Sequence, residues 1–114
     1  MSGPELAPLT GAEIAAELRA AAVKCVDQAH RWREDEDRAE HWRELADDVL
    51  RLAGDVRGMM RRGDGWRVRW RVARLYRDAW SLDDWDGVSV PASTATDILG
   101  ELADTLAEDA GVTS

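Results

Sequence analysis

Residues 61–80 read RRGDGWRVRWRVARLYRDAW, with tryptophan, arginine and valine almost side by side. Two periods compete for this stretch. With a period of two, Trp66, Val68, Trp70 and Val72 face one way and Arg67, Arg69 and Arg71 the other, the pattern of a half-buried strand. With a helical period, Val68, Val72, Leu75, Ala79 and Leu82 form one stripe at alternating four- and three-residue spacing. Trp66, Trp70, Ala73, Tyr76 and Trp80 widen that stripe to more than half the circumference. A strand needs a partner, and the sequence offers only Val88–Val90. A helix satisfies its own backbone, so the spacing predicts a helix over 65–82. Its apolar girth predicts a place in the middle of a bundle.

Three more helices follow from the same reasoning. Thr10 and Glu13 make a capping box ahead of Ile14, Leu18, Ala21, Cys25, Ala29 and Trp32, which predicts a first helix over 11–33. Trp42, Leu45, Val49, Leu52 and Val56 alternate three and four as in a coiled-coil seam, and predict a second helix over 38–57, frayed by Gly54 and Gly58. One continuous rod would set these two stripes about 150° apart, so a turn within 33–37 is the simpler reading. MMRRGDG (59–65) reads as a turn around Gly63 and Gly65. SLDDWDGVSVP (81–91) is a connector that Pro91 keeps from continuing as helix. Ser93, Thr94 and Thr96 are plausible caps for a fourth helix carrying Ile98, Leu99, Leu102, Leu106 and Ala110 and ending at Gly111. The expected fold is all-α, a small four-helix bundle with short loops and helix 65–82 central. Residues 1–9 read as a flexible arm, 10–111 as a single helical domain and 112–114 as a free tail.

The 114 residues suit one domain, and 45% apolar with 33% charged content is globular composition. No apolar run approaches the roughly 18 residues of a membrane span. A single cysteine excludes an internal disulfide and fits a reducing compartment. The first residues, MSGPELAPLTGAE, lack the basic and apolar regions of a secretory signal, so the expected location is cytoplasmic. Arginine outnumbers lysine fourteen to one and phenylalanine is absent. The net charge of −8 argues against general affinity for nucleic acid. Yet residues 57–77 hold eight arginines against one acid, Asp64. A basic island in an acidic chain either pairs with that chain's own acids or meets an external anion.

On the helical wheel Arg67, Arg71 and Arg74 line up at i, i+4 and i+7, where like charges repel. Pairing with acids of the second or fourth helix, helped by an Arg74–Asp78 bridge, is the expected outcome. Arg69 and Arg77 fall inside the apolar arc, where their stems can pack while their heads reach for water. The alternative is phosphate contact by Arg61, Arg62, Arg67, Arg71 and Arg74, with Trp66 stacking on bases. Five of the six tryptophans sit on or beside apolar stripes and are expected to supply the aromatic bulk that phenylalanine would otherwise give. Trp85, in the acidic connector LDDWDG, joins no stripe and is either a partner contact or a plug on the bundle end.

His30, Glu34, Asp37 and His41 fall at i, i+4, i+7 and i+11, a respectable zinc or manganese set on a continuous helix. The turn within 33–37 would disperse it, so no metal or other cofactor is expected. Cys25 lies on an apolar stripe and is expected to be an inert core thiol. Glu44-x-x-Asp47 in WRELADDVLRLA (42–53) resembles the second half of the ExxE…ExxD pattern of MazG-like nucleotide pyrophosphatases. The first ExxE has no counterpart at a suitable distance, since Glu13 and Glu17 stand at i, i+4 and Glu34–Asp37 lies too close. That resemblance implies an all-helical magnesium-dependent nucleotide hydrolase as a third reading. The first is a non-enzymatic interaction module, an adaptor or regulator that binds another protein and forms a homodimer. The second is nucleic-acid binding through 57–77. A membrane partner is not expected.

Overall fold

Thr10 starts the first helix, α1 (Gly11–Arg31), with the full capping box. Its hydroxyl accepts from the Glu13 N–H at 3.1 Å, and the Glu13 carboxylate accepts from the Thr10 N–H at 2.9 Å. The computed structural model describes residues 9–87 and 91–113, with side chains through 108. Most of the 1–9 arm, the Val88–Val90 piece and the last residue of the tail lie outside the described residues. α1 buries Ile14, Ala15, Leu18, Ala21, Ala22, Cys25 and Ala29. Four of these are alanines, which let a neighbouring backbone come close.

The chain turns at 32–35, overlapping the 33–37 segment that the stripe phases single out. Asp35 then caps α2 (Glu36–Arg61), accepting from the Arg38 N–H at 3.2 Å. α2 overruns its predicted end. Gly54 faces solvent and Gly58 is half-buried, while Val56 and Met59 keep the buried stripe going beneath them, so the packed face outweighs glycine's weak propensity. The stop is Gly63, at φ +80. The Asp64 N–H reaches back to the Met59 carbonyl at 2.9 Å and the Gly63 N–H to that of Met60 at 3.2 Å, a Schellman closure.

α3 (Gly65–Asp83) is the helix that the 3.6-residue reading requires, and no strand occurs among the described residues. Ser93 caps α4 (Thr94–Thr113), accepting from the Thr96 N–H at 3.3 Å while its carbonyl takes the Asp97 N–H at 2.9 Å. α4 continues through Gly111 to Thr113, so Val112 and Thr113 belong to the helix rather than to a free tail.

The four helices form a ring. α1 packs on α2, α2 on α3, α3 on α4 and α4 on α1, with the closest association between α1 and α2. Neither diagonal pair brings its backbones together among the described residues. The bundle expectation holds, but α3 is one corner of four rather than a central rod. The molecule is 19 Å across its thinnest dimension, about two helix diameters, so each helix keeps an outer face. The core is Trp42 and the aliphatic stripes, including Val68, Val72, Leu75, Ala79 and Leu82 of α3. Among the described residues no helix is long and apolar enough to cross a membrane.

Two glycines of the helices give opposite expectations. A Cβ at Gly54 meets nothing within 4 Å, whereas one at Gly100 would sit 2.8 Å from Cε1 of Tyr76, which lies over α4. Gly54→Ala should therefore raise unfolding free energy by about 0.5–1 kcal/mol. Gly100→Ala should lose about 1 kcal/mol, the clash outweighing the same propensity gain. Urea denaturation of the two variants checks both signs.

Candidate functional site

Because the α3 backbone packs only against α2 and α4 among the described residues, its buried stripe is narrow, and most of the rest of its girth faces solvent. This corrects the expectation that tryptophan fills the core. Trp42 does so and is fully buried, and Trp32 and Trp85 are half-buried against the core. Trp66, Trp70 and Trp80 are 58%, 62% and 45% exposed. With Ala73 and Arg77 between them, they occupy a 4-3-4-3 spacing along the outer face of α3. The Trp80 indole N–H donates to the Tyr76 hydroxyl at 2.9 Å, which holds that ring against the helix.

The arginines of the same helix do not serve mainly the chain's own carboxylates, as the sequence suggests they should. Among the described residues only Arg71 and Arg62 of this segment meet an acid, Asp55 at 3.7 Å and Asp64 at 3.6 Å. The Arg74–Asp78 bridge does not form. Two acids of α2 are engaged along their own helix, Glu40 with Arg43 and Asp48 with Arg51, each at 3.7 Å. Arg67 and Arg74 instead lie over neighbouring indoles, 5.1 Å from the Trp66 ring centre and 5.9 Å from that of Trp70. Arg77 is exposed and Arg69 half-buried, since the apolar arc that was to enclose them is narrower than the wheel suggests. Arg61 ends α2, exposed beside the Gly63 turn. The structure therefore brings Trp66, Arg67, Trp70 and Arg74 together on one face. Arg71 faces the α2 side, and Arg61 and Arg62 sit at the turn before α3.

Trp85 belongs elsewhere. It tilts against His41, ring centres 5.2 Å apart, and closes a groove of about 300 Å³ between α2 and the end of α3. The four-residue metal set is dispersed: His30 stands in α1, Glu34 in the turn, and Asp37 and His41 in α2. No group of three or more histidine, cysteine or acidic side chains among the described residues could hold a metal ion. Glu44 and Asp47 also diverge, Glu44 lining the Trp85 groove and Asp47 the groove between α1 and α2.

Sequence reasoning missed the polar cluster at the end of the bundle. Arg38 and Asp83 are 5% and 4% exposed. The Arg38 guanidinium lies 3.7 Å from the centre of the Trp32 ring and donates through Nη2 to the Leu82 and Asp83 carbonyls at 3.1 and 3.3 Å. Asp83 Oδ2 accepts from the Ser93 N–H at 2.9 Å and from the Thr96 hydroxyl at 2.6 Å, tying the start of α4 to the end of α3. The signal was available: Arg38 precedes Trp42 by one four-residue step of the α2 seam, and Asp83 follows Ala79 by the same step.

Comparison with protein-family models, with curated proteins and with solved structures finds no match in any of the three.

Cys25 is buried and free. Burial first, then the Asp83 carboxylate, push its thiol from 9.0 up to about 12. Iodoacetamide at mildly alkaline pH should leave it unmodified in the folded protein and alkylate it fully in urea, read by mass spectrometry. The unfolded chain ionises first. The thiol's contribution to stability is therefore full below pH 9.0 and should be lost as pH rises towards about 12.

Proposed function

We propose that this chain is a non-enzymatic helical interaction module, a small cytoplasmic adaptor or regulator that binds another protein through the outer face of α3. The observation that carries this reading is the row of exposed Trp66, Trp70 and Trp80 flanked by Arg67, Arg74 and Arg77, which have no acid partner among the described residues. Tryptophan and arginine are the side chains that most often dominate protein–protein binding energy. The 4-3-4-3 spacing of Trp66, Trp70, Ala73, Arg77 and Trp80 matches the repeat along which one helix lies beside another. The partner is therefore an amphipathic helix whose apolar stripe is edged by aspartate or glutamate. Its acids would meet Arg67, Arg74 and Arg77, and its apolar side chains the indoles.

A second copy of the chain is a poorer occupant of this face. Two-fold pairing of α3 with itself would set guanidinium against guanidinium. The homodimer expected from sequence would need another surface.

Nucleic acid is the second reading, favoured by the same arginines. Against it stand the net charge of −8 and the Arg67 and Arg74 guanidiniums lying over the indole faces on which bases would stack.

Fluorescence anisotropy with two probes separates these readings: a labelled leucine/glutamate heptad peptide that forms an amphipathic helix, and a labelled oligothymidylate. The peptide should bind, and Trp70→Ala should weaken it by about 2 kcal/mol, roughly thirtyfold. Binding of the oligothymidylate but not the peptide, with affinity falling steeply as salt rises, would transfer the face to nucleic acid.

A further inference from the structure

We propose that the end of the bundle around Arg38 binds a small oxyanion, and that a singly charged carboxylate suits it best. A guanidinium offers five N–H donors and no acceptor. Both hydrogen bonds of the Arg38 guanidinium leave from Nη2. Its Nε is buried and has no partner among the described residues. No carboxylate comes within ion-pair distance of this buried cation among the described residues. A buried charge without a counter-ion is costly, so the arrangement calls for an anion.

The space for one is present. Arg38 lines a cavity of about 370 Å³ with Gln28, Arg31, Trp32, Ser93 and Thr94. That is the size of a small-molecule site. Asp83, the obvious internal counter-ion, also lines the cavity. Its Oδ2, however, is committed to Ser93 and Thr96 at the start of α4. The acid thus caps one helix while the arginine is left to the cavity. Trp32 fixes the guanidinium plane by stacking and is itself held by its indole N–H, which donates to Gln28 Oε1 at 3.2 Å. Arg31 is exposed at the cavity and adds a second cation there. The N-terminus of α4 supplies a favourable dipole. Two arginines against Asp83 leave one net positive charge, which one monoanion neutralises; a dianion would also meet repulsion from Asp83. Pro91 and Ala92 give the cavity an apolar wall that an organic carboxylate can use and a bare inorganic ion cannot.

The Trp32 indole ¹H–¹⁵N cross-peak reports on this site, assigned by its loss in Trp32→Phe. Sodium benzoate and inorganic phosphate are titrated separately into the full chain at constant ionic strength, with chloride as control. The Trp32 peak should move saturably with benzoate while the Trp42 peak stays still. Arg31→Glu, at an exposed position, should keep the fold and weaken binding about tenfold. Arg38→Lys should weaken it too by removing the planar fork. Saturation by phosphate alone would keep the oxyanion site and assign it to phosphate groups. A Trp32 peak that ignores both anions, or moves without saturating, would overturn the proposal. So would an Arg31→Glu variant that is folded and binds as before.

Discussion

Five side chains of α3, Val68, Val72, Leu75, Ala79 and Leu82, fasten that helix to α2 and α4, and the narrowness of this seam decides everything the helix shows to solvent. Burying a valine or leucine side chain stabilises by about 1.5–3 kcal/mol. Four such residues and an alanine can hold α3 in place without help from its tryptophans. In a ring of four helices no member has more than two neighbours, so a wide apolar arc cannot be covered. The excess is aromatic, and it stays outside. Arg67 and Arg74 beside it stay outside as well: of the α2 acids, Glu40 and Asp48 pair along α2 and Asp55 takes Arg71.

The same geometry places two kinds of arginine in one small protein. Arg67 and Arg74 of α3 are solvated and lie along indoles, and they offer short-range attraction to an acidic partner. Screening confines such attraction to about 8 Å at physiological ionic strength. The net charge of −8 therefore opposes long-range capture of a polyanion more than it opposes close contact with an acidic helix. Arg38 is the opposite kind: buried, stacked on Trp32, and bonded to the carbonyls that end α3. It joins the α1–α2 turn to the α3 terminus, and Asp83 joins that terminus to α4.

Local rules that depend on a few neighbouring residues were legible in the sequence. The Thr10–Glu13 box, the turn between the two stripe phases and the Ser93 cap all act within one or two helical turns. What escaped was decided by neighbours far along the chain. Spacing places Trp66, Trp70 and Trp80 beside an apolar stripe, but only the number of packed helices says whether that flank is covered. Gly54 and Gly58 read as breakers because their propensity is local, while the Val56–Met59 face that carries α2 through them is tertiary. Arg38 and Asp83 were hidden by a rule of thumb rather than by missing information. Each lies in phase with its helix's seam, and a charged residue in phase with a seam is a buried charge awaiting a partner. The Arg67–Arg71–Arg74 spacing was legible, although Arg71 turns towards α2 and Asp55. The partners of these arginines were not, since an acid's choice between its own helix and the next one is settled by side-chain reach.

Iodide quenching of the intrinsic fluorescence tests the central claim most directly. Iodide is an anion, so guanidiniums beside exposed indoles should make it a stronger quencher than caesium. The free protein is expected to show a large iodide-accessible fraction. Replacing Trp66, Trp70 and Trp80 together by phenylalanine should remove most of that fraction and leave a folded protein whose blue-shifted emission comes from buried Trp42 and half-buried Trp32 and Trp85. Emission that resists iodide in the native chain, or quenching unchanged in the folded triple variant, would contradict an outward-facing tryptophan row on α3.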